Sequence, residues 1–110
     1  MSETLKVLGQ SAPAATTATT LYTVPASKAA VGSTLVVCNG AATAGTFRVA
    51  VRVAGAALAN AQYLYYDASL AANSTLTATL GITLATTDVV TVYASSANFS
   101  FNLFGSEVGV

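Results

Sequence analysis

The 110-residue sequence contains no histidine and a single cysteine, Cys38. Zinc sites combine several Cys, His or carboxylate ligands, and a Cys–His nucleophile needs a histidine, so neither can be assembled here. One cysteine also cannot form an intrachain disulfide. We expect Cys38, which ends the apolar run TLVVC, to be a small buried side chain.

Charge is almost as scarce, with four Lys and Arg, four Asp and Glu, and a net charge of zero. A basic patch that could neutralise many phosphates is therefore absent, which argues against general nucleic-acid binding and excludes a polybasic membrane anchor. No apolar run approaches the roughly 20 residues that span a bilayer. The opening MSETLKVLGQ lacks the pattern of a secretory signal, so we expect folding in a reducing cytoplasm.

The surface must then consist mainly of Thr, Ser, Ala, Asn and Tyr. Only 7% of the residues are charged, whereas about 25–35% is typical of the surface of a soluble monomer. Such a surface is common in proteins that bury much of it against copies of themselves or a larger body. We predict a homo-oligomer, with a trimer as the expected state.

Period-two alternation recurs along the chain, and helical periodicity does not. It predicts eight short strands, at residues 4–8, 21–24, 33–39, 47–53, 62–68, 74–80, 89–94 and 99–104. Turn signals separate them, the strongest being Asn39-Gly40. Eight strands at this spacing predict an all-β fold, an antiparallel β-sandwich that is jelly-roll-like.

The first 20 residues differ from the rest. After the strand-like TLKVL, the stretch GQSAPAATTATT has no large apolar side chain and can add little to a core. We therefore divide the chain into an N-terminal strand and extended arm, residues 1–20, and a β-sandwich domain, residues 21–110. The alternative is that TLKVL is an ordinary first strand of the chain's own sheet.

Alternation also predicts which side chains face inward. In FRVAVRV the apolar set, Phe47 to Val53 in steps of two, should face the core. A hairpin whose paired residue numbers sum to 115 places Arg48 opposite Asp67, Ala50 opposite Tyr65 and Arg52 opposite Tyr63. The predicted core comprises Leu35, Val37, Val49, Val51, Leu64, Tyr66, Leu76, Leu80, Val90, Val92, Phe101 and Leu103.

The outward face of this hairpin is the candidate interface, formed by Arg48, Arg52, Tyr63, Tyr65 and Asp67. Arg and Tyr are enriched at protein interfaces because both offer a large flat area with polar edges. Three interpretations stay open: a face that meets a partner, a solvated ladder of ion pairs and stacked rings, or a small-molecule site.

The sequence offers little for catalysis. Its acids are Glu3, Asp67, Asp88 and Glu107, and no spacing brings two of them together as an acid–base pair. No nucleophile elbow, phosphate loop or metal-ligand cluster is present. We therefore predict a protein that is not an enzyme and has no catalytic, cofactor-binding or metal-binding residues.

Several stretches resemble a family of small virion proteins of tailed bacteriophages, common in phages of cyanobacteria and other aquatic bacteria. The most specific are YTVPA, RVAGAALAN-Q-YLYYD and the terminal FNLFGSE. The resemblance implies a component of the virion and does not decide between head and tail. We expect an oligomeric capsid cement or decoration protein, with copies of itself and the major capsid protein or tail proteins as partners. The alternatives it leaves are a tail, baseplate or fibre-associated component, or a receptor- or glycan-binding β-module on the virion surface.

Overall fold

The computed structural model describes residues 3–110 and consists of eight strands in two four-stranded antiparallel sheets. The strands are β1 Glu3–Ser11, β2 Thr19–Thr23, β3 Lys28–Asn39, β4 Gly45–Arg52, β5 Tyr63–Leu70, β6 Ser74–Leu84, β7 Val89–Ala94 and β8 Phe99–Gly109. One sheet has the order β1-β8-β3-β6 and the other β2-β7-β4-β5. In these orders β1 is next to β8, β2 to β7, β3 to β6 and β4 to β5. This is the strand arrangement of a double-sheet jelly roll. The fold prediction is confirmed.

The core lies between the two sheets and follows the alternation of the strands. On β8, Phe99, Phe101 and Leu103 are buried while the residues between them are half-exposed. On β6, threonines alternate with half-buried Leu, Ala and Ile, so the threonines face outward. Seven predicted core residues are fully buried: Leu35, Val37, Val49, Val90, Val92, Phe101 and Leu103. Val51, Leu76 and Leu80 pack against the core at its margin.

The assignment of Leu64 and Tyr66 to the core was wrong, because both side chains are exposed on β5. The hairpin keeps the predicted register from Gly45, opposite Leu70, only as far as Phe47, opposite Ala68. Shifts follow on either side of Val49, which pairs with Tyr65. The predicted pairings of Tyr65 and Tyr63 with Ala50 and Arg52 were therefore also wrong.

A β-bulge is the physical reason for this error. Two residues of β5, Tyr66 and Asp67, lie opposite the single residue Arg48 of β4. Asp67 has a φ of 50°, the left-handed conformation that Asp tolerates better than most residues. Because the side-chain period of a strand is two, the extra residue turns Tyr66 outward, and the second shift, at Leu64, keeps Tyr63 on the outer face opposite Ala50. Tyr65 packs on the core in place of Tyr66.

Two smaller expectations also need correction. Val53 follows the end of β4 and is exposed instead of facing the core. Cys38 is half-buried, since it lies on the outward-facing parity of β3 between the buried Val37 and Asn39.

β1 is an edge strand of the chain's own sheet, paired with β8 from Glu3 to Ser11. This is the arrangement of the alternative interpretation, an ordinary first strand, and Leu8 of β1 is part of the core. Residues 1 and 2 of the predicted arm lie outside the described residues. Whether the chain divides functionally at residue 20 stays a prediction.

The 53–62 loop, which joins β4 to β5, contains two three-residue 3-10 turns at Val53–Gly55 and Asn60–Gln62. Asp88 holds the first turn: its carboxylate accepts hydrogen bonds from the backbone N–H groups of Ala54 and Ala85, both at 2.9 Å. Gln62 holds the second by accepting from the Ala59 N–H. Across residues 3–110, no helix has the length and apolarity needed to cross a bilayer.

Candidate functional site

The outer face of the β2-β7-β4-β5 sheet carries a tyrosine cluster, Tyr63, Tyr66 and Tyr93, around Arg48. The guanidinium carbon of Arg48 lies 4.3 Å from the ring centroid of Tyr66 and 4.2 Å from that of Tyr93. Tyr63 meets Tyr66 edge-on, with 4.9 Å between centroids. Since β4 lies between β5 and β7, Arg48 is in reach of tyrosines from both neighbours.

Asp67 completes the cluster. Its carboxylate accepts two hydrogen bonds from Arg48, at 2.6 Å from Nε and 3.2 Å from the terminal nitrogen. The predicted contact between these two residues is confirmed. Hydrogen bonding to Arg48 lowers the pKa of Asp67, and the same bond raises the pKa of Arg48. Both groups are thus charged across the physiological range, and their charges cancel locally.

The other two candidate interface residues lie elsewhere. Arg52 donates to the carbonyl oxygens of Ala56, at 2.7 Å, and Gly55, at 2.9 Å, and so fixes the start of the 53–62 loop. The predicted stacking of Arg52 on Tyr63 was wrong, because the shifted register moves Tyr63 opposite Ala50. Tyr65 faces the core, with its ring centroid 5.3 Å from that of Phe47. The structure therefore unites Arg48, Tyr63 and Asp67 of the predicted set, and their role at an interface stays a prediction.

A cavity of about 230 Å³ lies beside the tyrosine cluster. Ala50 of β4 and Thr91 of β7 are paired across the sheet and form its floor. Both are on outward-facing strand positions, yet both are buried. The cavity is bounded by Thr16 and Ala18 of the connector after β1, by Leu58 of the 53–62 loop, and by Arg48, Tyr63 and Tyr93.

Thr91 has an unusual environment in this cavity. It is 5% exposed, and its hydroxyl Oγ1 is fully buried without a hydrogen-bond partner among the described residues. Burying a hydroxyl without a partner costs about 1–3 kcal/mol in proteins. Because Thr91 also lines the cavity, its hydroxyl is a group to which an ordered water or a bound molecule can supply the missing hydrogen bond.

A second concave surface continues from the cavity across Tyr63. It is shallow, has a volume of about 340 Å³ and is lined by Asn60, Tyr63 and Tyr66. Tyr63 lines both spaces, so they adjoin at its side chain, and we refer to the two together as the cleft. Tyrosines line both parts, Asn60 lies at the loop end, and Arg48, paired with Asp67, lines the cavity.

The opposite side of the sandwich has a different character. The outer face of the β1-β8-β3-β6 sheet presents an apolar patch of Leu5, Val7, Val31 and Phe104, all exposed. Val7 pairs with Phe104, while Leu5 and Val31 flank Ser106 from either side and leave it buried. Threonines at 75, 77, 79 and 83 of β6 continue the face. By alternation, the only charged residue among its described outward positions is Glu3, at its margin.

Lys6 and Glu107 form the second ion pair among the described residues. At one end of the sandwich, the buried carboxylate of Glu107 accepts a hydrogen bond from the Tyr22 hydroxyl at 2.5 Å and pairs with Lys6 at 3.3 Å. The Tyr22 hydrogen bond lowers the pKa of Glu107, and burial together with the Glu107 charge raises that of Tyr22. Arg52 and Asp88 thus stabilise the 53–62 loop, whereas Lys6 and Glu107 pair at one end of the sandwich.

No protein-family model, curated protein or solved structure matches the chain. Sequence reasoning missed Thr91 and Tyr93 as site residues. Their outward parity within VVTVY was readable, but the cavity that Thr91 and Tyr93 line also depends on distant residues of the connector and the 53–62 loop. Tyr66 was assigned to the core because the bulge was not foreseen.

Proposed function

We propose that this protein is a non-enzymatic structural component of a tailed-phage virion, an oligomeric cement or decoration protein that stabilises the particle. The observation that carries the proposal is the apolar patch of Leu5, Val7, Val31 and Phe104 on a face almost without charge. A large exposed apolar patch on a neutral β-surface is typical of a protein–protein contact. The resemblance to small virion proteins supports the same role.

The energetics favour attachment through several copies. Leu5 is 81% exposed and Val7 45%, and fully burying one such side chain contributes about 1.5–3 kcal/mol. Association costs an estimated 4–15 kcal/mol in lost rigid-body freedom. A single patch is therefore a weak anchor, whereas linked copies that bind together raise the effective affinity by about 10²–10⁴. A homo-oligomer, expected to be a trimer, fits this requirement.

The proposal is tested by binding the purified protein to phage particles that lack it, with sedimentation to measure attachment and oligomer size. We expect Leu5→Glu and Phe104→Glu to weaken attachment or oligomerisation, because each places a charge on the patch. Leu64→Glu is the matched control, since Leu64 is an exposed leucine on the other sheet. Cryo-electron microscopy of the loaded particle distinguishes a capsid location from a tail or baseplate location.

A stable monomer at high micromolar concentration that does not bind particles would contradict the proposal. So would equal attachment of the Leu5→Glu, Phe104→Glu and Leu64→Glu variants.

A further inference from the structure

We propose that the cleft formed by the 230 Å³ cavity and the adjoining Asn60–Tyr63–Tyr66 surface binds a neutral saccharide, with one sugar ring seated over Thr91. The cleft lies on the sheet opposite the apolar patch. Glycan binding and particle assembly can therefore succeed or fail independently.

Thr91 defines what the ligand must provide. Thr91 lines the cavity, and its hydroxyl is buried without a partner among the described residues. A ligand hydroxyl, which can both donate and accept, satisfies it in either orientation. A purely hydrocarbon ligand would leave the Thr91 hydroxyl unsatisfied, so the site favours a ligand that carries hydroxyl groups.

The charges in the cleft favour a neutral ligand. Arg48 is the cation that lines the cavity, and Asp67 neutralises it through two hydrogen bonds. An anionic ligand would have to compete with this carboxylate for the guanidinium group. The outward oxygens and nitrogens of the pair stay suited to hydrogen bonding with neutral hydroxyls.

The walls favour a ring with apolar faces. Tyr63, Tyr66 and Tyr93 present aromatic surface, and Leu58 adds an aliphatic contact in the cavity. The C–H faces of a pyranose ring pack on such surfaces, while its hydroxyl edge reaches polar groups such as the Asn60 amide. A cavity of about 230 Å³ has space for roughly seven waters at about 30 Å³ each, which suits a single sugar ring.

The shape argues against an extended peptide. The connector residues Thr16 and Ala18 bound the cavity on one side and Leu58 of the 53–62 loop on another. The Thr16 backbone N–H donates to the Ala94 carbonyl at 2.8 Å, which ties the connector to β7. The space over Thr91 is thus compact instead of a groove that follows a strand.

The test is a titration of the full chain with methyl glycosides of glucose, galactose, mannose and N-acetylglucosamine at millimolar concentrations, followed by amide NMR shifts. We expect at least one glycoside to shift the amides of Thr91, Tyr93 and the 53–62 loop. Thr91→Val should lower its affinity by roughly 5- to 150-fold, the range for one buried hydrogen bond. Thr77→Val makes the same chemical change on the opposite face and should leave the affinity unchanged.

Tyr63→Ala provides a second test because Tyr63 lines both parts of the cleft. Its affinity should also fall, and circular dichroism shows whether each variant is folded. The proposal is overturned if no glycoside in the panel shifts these amides, or if Thr91→Val and Tyr63→Ala bind as the wild type does. A polyproline peptide that shifts them when no glycoside does would overturn it equally.

Discussion

Replacing Asn39 by alanine is expected to cost more stability than any other single polar-to-alanine change in the turns. Asn39 is fully buried at the end of β3. Its side-chain nitrogen lies 3.0 Å from the carbonyl oxygen of Thr43 and 3.2 Å from those of Leu70 and Ala71. Its side-chain oxygen accepts from the Ala41 N–H at 2.9 Å. One side chain therefore joins the β3–β4 turn to the β5–β6 turn.

The expected magnitude follows from the number of bonds lost. The amide has two hydrogens for three carbonyls, so it makes two full donor bonds and one acceptor bond. Thr43 and Ala71 are exposed, and water can replace part of what they lose. At about 1 kcal/mol of net stability per hydrogen bond, Asn39→Ala should lower the free energy of unfolding by about 3 kcal/mol. For 110 residues at about 2.1 cal/mol/K each, this lowers Tm by roughly 13 °C.

Chemical denaturation and thermal melting measure the effect, and an unchanged denaturant slope shows that only stability has changed. Asn102→Ala is the matched control, because Asn102 is half-buried on β8 and bonds the exposed side chain of Gln10. It should cost less than about 1 kcal/mol. A loss for Asn39→Ala no larger than that of the control would refute the reasoning that this side chain connects the two turns.

Three further predictions concern the end of the sandwich and its first strand. Because the fold lowers the pKa of Glu107, the stability that its carboxylate contributes is present above the ordinary pKa of 4.5. This stability is lost as the pH falls from 4.5 through the lowered pKa of the folded protein. The stability difference between wild type and Glu107→Gln should thus shrink in acid titrations of unfolding, and a constant difference would show that the Tyr22 bond does not favour the carboxylate. Gly9→Ala should destabilise by about 1–3 kcal/mol in urea melts, since the added Cβ would lie 2.1 Å from the Leu21 carbonyl oxygen; unchanged stability would mean that β1 moves freely there. Deleting residues 1–10 should lower Tm because β8 loses its edge partner, whereas a detachable arm would leave Tm nearly unchanged and abolish only particle binding.

The sequence alone determined the eight strands and most of the core. Alternation is a local property, and it places Phe101 and Leu103 inward on β8 and the threonines of β6 outward without knowledge of any partner strand. The charge-poor composition likewise determined that the surface would be neutral, since there were too few ionisable groups to cover it. These features depend on residues close together in the chain.

Tertiary structure decided the site. The bulge at Tyr66 and Asp67 depends on how β5 registers against β4, and the extra residue reverses the parity of Tyr66 and Tyr65 until a second shift at Leu64 restores it at Tyr63. Thr91 is buried only because the connector and the 53–62 loop, distant in the chain, fold over an outward-facing position. Pairing between distant segments is not encoded in any local period. Arg48 and Asp67 could be matched from the sequence because they lie in consecutive strands, next to the part of the hairpin whose register was predicted correctly. The cavity beside them could not, because its walls come from segments distant in the chain.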